Sequence, residues 1–193
     1  MIILASGSWL RKTIMQASEF TFEVKTKDVD ERKIESLYHG KGHAEVVEML
    51  AQAKASAVAS DYPDDLVIGA DTFVVLPNGE RGHKPKTKAE AFEVCLAQSG
   101  KKATVYTGIA VCYKGKIATA TVSAVITYSK FGKSQLELLF QKDDPTIRNA
   151  GLGFFMDAPG FTLVETFEGS YTGAMGLPMD EVRQLMQEVD FFA

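Results

Sequence analysis

Cysteine is scarce in this chain: 193 residues hold two, Cys95 and Cys112, and neither has a Cys or His at metal-ligand spacing. That excludes a disulfide scaffold and a structural zinc site, and it favours buried free thiols in a reducing cytoplasm. His39 and His43 flank Gly-Lys-Gly, which makes a poor helix and a poor zinc site. Long apolar runs are also missing. No stretch approaches the roughly 20 apolar residues of a membrane span, and the short apolar opening lacks the basic lead of a secretion signal. Nor is there an excess of positive charge. Lys and Arg number 21 against 25 Asp and Glu, for a net charge of −4, and their even scatter argues against a duplex nucleic-acid face. A small anion needs only a few converging cations, so that class stays open. No Gly-rich loop ends in Gly-Lys-Ser/Thr, and Gly151-x-Gly153 lacks a third glycine after a strand, which excludes the P-loop and Rossmann nucleotide sites. Without repeats or a low-complexity linker, 193 residues suit a single domain with a substantial core.

What is present begins at once. The opening Ile2-Ile3-Leu4 is an apolar strand that ends in Ala5-Ser6-Gly7-Ser8, and Leu10, Ile14 and Ala17 recur at helical spacing behind it. Backbone N–H groups at a helix start are unsatisfied and carry partial positive charge. Gly7 admits a close approach, Ser6 and Ser8 add hydroxyls, and Arg11 and Lys12 bring full charge to the first turn. The same residues serve equally as an ordinary helix with Ser8 as N-cap and its cations solvated. The favoured reading is a phosphate cradle.

Further along, Thr21 to Lys25 reads as extended, 43–60 as a long helix, and Leu66 to Ala70 as a strand buried on both faces. Asp71-Thr72 interrupts that run before Phe73 to Leu76 resumes it. Thr87-Lys88-Ala89-Glu90 is a capping box, with Phe92, Cys95 and Leu96 inward on the helix that follows, and Ser99-Gly100 closes it. Stretches 102–113 and 116–128 read as strands of a hairpin turned at Lys114-Gly115, and a short helix follows at 135–141. Phe161 to Phe167 is strand-like. Pro178 opens a last helix burying Val182, Leu185, Met186 and Val189. The class is α/β with a mixed sheet flanked by helices.

Three positions break the local pattern. Asp71 stands inside an apolar strand, where a carboxylate is costly unless it meets a cation, a metal or donors. It is either a general base or metal ligand facing a cleft, or the anchor of a turn or a structural ion pair. Lys54 shares a stripe with Val47, Leu50, Ala51, Ala57 and Val58, so it either snorkels or aims its ammonium at Asp71. Lys84 sits before Pro85, in a loop where most lysines face water. Asp28, Asp30 and Glu31 form an acidic run which, with Asp71, offers the hard oxygen ligands that Mg²⁺ prefers. Cations at 11, 12, 54 and 84 with carboxylates at 31 and 71 are what hydrolysis of a nucleoside polyphosphate requires.

At these residues the chain resembles the Maf family of nucleoside triphosphate pyrophosphatases. The resemblance is carried by Ala5-Ser6-Gly7-Ser8-Trp9-Leu10-Arg11, Val29-Asp30-Glu31, Ala53-Lys54-Ala55 and Gly69-Ala70-Asp71-Thr72. Lys84-Pro85, Ser99-Gly100, Tyr106-Thr107-Gly108, Ala150-Gly151, Gly169-Ser170-Tyr171 and Gly176-Leu177-Pro178 follow in family order, so the match spans residues 2 to about 189. The resemblance implies an elongated two-lobed α/β fold with a central cleft and a homodimer. It implies hydrolysis of the α–β phosphate bond of a nucleotide with Mg²⁺ or Mn²⁺. Asp71 is then the proton acceptor and Glu31 a metal or water-positioning carboxylate; which of the two touches metal stays open. Ser8, Arg11, Lys54 and Lys84 then hold the phosphates, Lys54 and Lys84 counting with Asp71 and Glu31 as catalytic, while Ser6, Leu10, Lys12 and Thr72 join in binding the substrate. Three departures bear on specificity. Trp9 and Leu10 stand where the family has Pro and a first Arg, and Asn149 stands where a Lys often precedes Ala-Gly. Phe154-Phe155-Met156-Asp157 replaces the glutamine-bearing segment of the thymidine- and uridine-nucleotide subgroup. Leu10, Tyr106-Thr107-Gly108 and the stretch from Gly160 to Gly169 look closer to the subgroup acting on modified nucleotides such as 7-methyl-GTP. The rival reading is a nucleotide-binding regulator of cell division, its turnover disabled by the absent arginine.

Overall fold

The computed structural model describes residues 1–37, 40–141 and 163–193. In chain order the elements begin β1 (Ile2–Leu4), α1 (Trp9–Ala17), β2 (Phe22–Val24), α2 (Glu31–Leu37), α3 (His43–Ala59), β3 (Leu66–Val75) and β4 (Arg81–Gly82). They continue with α4 (Lys88–Leu96), β5 (Lys102–Tyr113), β6 (Lys116–Tyr128), α5 (Lys133–Leu139), β7 (Val164–Gly169), α6 (Tyr171–Ala174) and α7 (Met179–Glu188). The strands form a mixed sheet of order β2-β1-β3-β5-β6-β7, with β4 paired to β3 off that path. β1 runs parallel to β2 and β3, setting Ile2 opposite Phe22 and Leu66, while β6 and β7 pair antiparallel. At the tip of the β5–β6 hairpin, Lys114 and Gly115 both have positive φ, 46° and 78°. That is the primed turn whose twist suits a two-residue hairpin. Among the described residues no helix is long and apolar enough to cross a membrane.

The chain divides into two compact units. The first comprises Met1–Thr72, Tyr106–Ser123 and Ser170–Ala193. Its strands β1, β3 and β5 are buried on both faces, and alternation sorts their side chains into two layers. Ile2, Leu4, Ile68, Ala70, Ile109 and Val111 pack with Ile14 and Met15 of α1 and with Val182, Leu185 and Met186 of α7. Ile3, Val67, Ala110 and Cys112 point the other way and pack with Ala51, Ala55 and Val58 of α3. The second unit comprises Phe73–Val105 and Ala124–Gly169. There Thr87 Oγ1 caps α4 by accepting from Glu90 N at 3.1 Å, while the Glu90 carboxylate accepts from Lys86 N at 2.7 Å. The expected capping box thus closes one residue early. Ser99, which ends the same helical stretch, donates to Phe131 O and accepts from Phe131 N.

Two differences from the sequence expectation concern the site. β3 is unbroken through Asp71-Thr72, because Asp71 meets a cation and needs no turn to solvate it. The acidic run leads into α2, whose first turn is capped by Asp30 Oδ1 accepting from Lys33 N at 3.0 Å. α2 buries no residue, so it has no apolar stripe by which the sequence could declare it.

Candidate active site

Two glycines decide where α3 lies. A Cβ on Gly69 would stand 2.6 Å from Ala51 O and 2.7 Å from Ala55 N, and one on Gly108 would stand 2.5 Å from the Val47 carbonyl. No side chain fits in those gaps, so the backbone of α3 rests directly on the backbones of β3 and β5. Asp71 follows Gly69 by two residues and therefore projects from the same face of β3. Lys54, between the contact points Ala51 and Ala55, is thereby carried to it. Lys54 Nζ donates to Asp71 Oδ1 at 2.5 Å and pairs with Glu31 Oε1 at 2.8 Å. The Asp71 side chain is 11% exposed and Lys54 19%, whereas Glu31 is 48% exposed at the start of α2. One largely buried ammonium thus holds two carboxylates from separate parts of the chain. The snorkelling alternative for Lys54 does not describe it.

Thr72, one residue further, projects from the opposite face of β3 toward α1. Its Oγ1 accepts from Arg11 Nη2 at 3.0 Å, while Arg11 Nη1 donates to Ser6 Oγ at 3.1 Å and Nε to Gly176 O at 2.8 Å. Burial pulls the Arg11 pKa below its ordinary value, and the charges of Asp71 and Glu31 oppose that pull. Arg11 therefore lies within the field of both carboxylates, and a guanidinium stays charged in proteins. Ser8 is the N-cap of α1, its Oγ accepting from Arg11 N at 3.5 Å, and Ser8 N donates in turn to Ser6 Oγ at 3.3 Å. The ordinary cap is real, but Arg11 is turned inward rather than solvated.

The structure thus brings Ser6, Ser8, Arg11, Glu31, Lys54, Asp71 and Thr72 together in the first unit. Leu10 is half-buried on α1, and Lys12 is exposed there. Lys84 is exposed in the second unit, between β4 and α4. His39, Asn149, Ala150-Gly151, Gly153, Phe154 to Asp157 and Gly160 lie outside the described residues. Sequence reasoning left out Thr107 and the carbonyls of Gly173 and Gly176 as parts of the site. Thr107 stands in a motif that the sequence displays, but a threonine in a β run is ordinary, and a carbonyl has no residue signature at all.

Glu31 and Asp71 each turn a hard carboxylate oxygen toward Lys54 Nζ. A divalent cation such as Mg²⁺ accepts one or two carboxylates and completes its shell with phosphate oxygens and water. Among the described residues no group of three or more His, Cys, Asp or Glu could hold a metal ion. Two carboxylates are a donor number that suits such a cation, the remaining ligands being left to substrate and solvent.

The chain is similar to known proteins along nearly its whole length. The Maf-like protein family matches residues 1–189. The dTTP/UTP pyrophosphatase of Bacillus anthracis (strain CDC 684 / NRRL 3495) is 33% identical over 187 residues, covering 96% of this chain and 94% of that protein. The protein of the same name from Bacillus cytotoxicus is 33% identical over 186 residues, with the same shares covered. Among solved structures, the Staphylococcus aureus Ham1 protein aligns at 18% identity with a TM-score of 0.46, over 68% of this chain and 74% of that one. With its motifs in family order, the family matched along nearly the whole sequence and relatives one-third identical end to end, this chain belongs to the Maf family.

Proposed function

We propose that this protein is a nucleoside triphosphate pyrophosphatase, a hydrolase that cleaves the α–β phosphate bond and releases the monophosphate and pyrophosphate. The observation that carries the reading is the Lys54 ammonium held between Asp71 and Glu31 with Arg11 in the same field. The names of the one-third identical relatives support it.

In this reading the cations do the electrostatic work. Arg11 and Lys54 hold phosphate oxygens, and Ser6 and Ser8 offer hydroxyl donors. Asp71 accepts the proton of a water whose oxygen attacks the α-phosphorus. The bond to the bridging oxygen breaks, and pyrophosphate leaves. The Lys54 ammonium takes Asp71 Oδ1, and Oδ2 is the oxygen that receives the proton of that water. Glu31 and Asp71 would hold a divalent cation, Mg²⁺ or Mn²⁺, which would supply neutralisation of the phosphate charge. The protein acts as a single Maf-like domain, in the cytoplasm, where Cys95 and Cys112 remain free thiols, and as the homodimer that its family resemblance implies.

The relatives' names bring dTTP and UTP forward as substrates, while Leu10 and Tyr106-Thr107-Gly108 favour a modified base. One panel covers both: standard triphosphates, dTTP, UTP and 7-methyl-GTP with Mg²⁺ or Mn²⁺, scored by pyrophosphate release. Asp71→Asn should lower the rate by about 10² to 10⁴-fold, the usual worth of a positioned base. Nucleotide binding without release across the panel would favour the cell-division regulator instead. Full activity in Asp71→Asn would remove Asp71 from the chemistry.

A further inference from the structure

The donors and acceptors around Arg11 can be followed proton by proton. Thr107 is wholly buried on β5, and its Oγ1 donates to Gly173 O at 2.7 Å. A threonine hydroxyl has one proton, so Thr107 can only accept in its second bond, the 3.0 Å contact with Thr72 Oγ1. Thr72 must then be the donor there. Its own proton is directed at Thr107, and a lone pair is left facing Arg11 Nη2 at 3.0 Å. The order runs Arg11 to Thr72 to Thr107 to Gly173 with every proton pointing the same way.

The far end of this chain is firmly fixed. Gly173 N donates to Ser170 Oγ at 3.1 Å, and a Cβ on Gly173 would stand 2.5 Å from Val122 Cγ2. The backbone there cannot shift without displacing β6. Gly176, three residues on, has φ +97° and accepts from Arg11 Nε. Two of the three anchors of the guanidinium therefore trace back to the segment Ser170–Gly176, one directly and one through the two threonines.

We propose that Thr107 is a positioning residue for the phosphate-binding arginine. It touches no substrate. By fixing the direction of the Thr72 proton it turns Thr72 into an acceptor and so fixes the plane in which Arg11 presents its remaining N–H donors. This inference rests on Arg11 binding phosphate, and it adds a role for a residue two bonds away from that contact.

The test uses the full chain as wild type, Thr107→Val, Thr107→Ser and Thr72→Val. Two readouts are taken. The first is the solvent-exchange rate of the Arg11 Nη2–H protons by NMR without nucleotide; the second is KM against kcat on the best substrate of the panel. Thr107→Val should speed the exchange and raise KM about tenfold, the worth of one lost hydrogen bond, with kcat within about threefold. Thr107→Ser keeps the hydroxyl and should restore wild-type values in both. If Thr107→Val fails to fold, Thr72→Val breaks the same chain one link nearer and should speed the exchange alike. Unchanged exchange in the valine variants would overturn the proposal, as would a serine variant as impaired as valine. Should the wild type hydrolyse no nucleotide, the pyrophosphatase reading falls, and the exchange rates still decide the role of Thr107.

Discussion

Lys54 is paired with two carboxylates of unequal burial, and the inequality sets what each pairing is worth. Asp71 is 11% exposed and Glu31 is 48% exposed. Removing the ammonium strands Asp71 in a site that cannot solvate it, so Lys54→Met should cost about 3 kcal/mol or more in urea unfolding. Asp71→Asn added to Lys54→Met should recover part of that loss, because the uncompensated charge is gone. Glu31→Gln should cost under about 1 kcal/mol, since water replaces much of what the exposed pair supplied. A double variant no more stable than Lys54→Met would mean that the stabilisation does not come from the pair.

The thiols give a prediction of a different kind. Burial raises Cys95 from 9.0 to about 12 and also raises Cys112. In the fold both stay neutral, whereas in the unfolded chain they ionise near their ordinary values. A pKa raised on folding leaves stability intact below pH 9 and removes it as pH climbs from 9 toward 12. Thermal unfolding midpoints should therefore hold between pH 7 and 8.5 and fall steeply above about pH 9.5. A disulfide-exchange reagent at pH 8 should label no thiol in the native protein and two after unfolding.

At the scale of elements, legibility followed apolar burial. The expected bounds of β5, β6 and their hairpin hold to the residue, because two-sided burial and a Lys-Gly turn leave little freedom. α3 and α7 were equally plain from their stripes, whereas α2 and the short α6 were not, having few buried side chains to impose a period. On α1 the stripe shifted by one position, with Met15 buried and Ala17 exposed. Of the site, the charged residues stood out as misfits, but their pairing did not. It depends on the backbone contact at Gly69 and Gly108, and a glycine in sequence does not say what will approach it. Gly69→Ala or Gly108→Ala should consequently act at a distance. Each forces α3 outward, costs about 1–3 kcal/mol as overpacking does, and lowers activity by parting Lys54 from Asp71, although neither glycine touches substrate. Loss of stability with activity fully retained would separate the helix position from the ion pair.

At the scale of the whole molecule, the first unit is assembled from three stretches that are far apart in sequence, the last of them Ser170–Ala193. That stretch supplies Leu177, Val182, Leu185, Met186 and Val189 to the core shared by β1, β3 and α1. It also supplies the Gly173 and Gly176 carbonyls that anchor Arg11. Burying a side chain of this size stabilises by about 1.5–3 kcal/mol, so five of them are of the same order as the roughly 5–15 kcal/mol that keeps a domain folded. A chain cut after Gly169 should lose its cooperative thermal transition altogether rather than merely its activity. Leu185→Ala asks the same question in milder form: it should cost about 2–5 kcal/mol while leaving kcat near wild type at temperatures where the variant is folded. The leucine lies in the apolar layer, so its loss spends stability without moving the site. A collapse of kcat in folded Leu185→Ala would show that α7 positions Arg11 as well as covering the core.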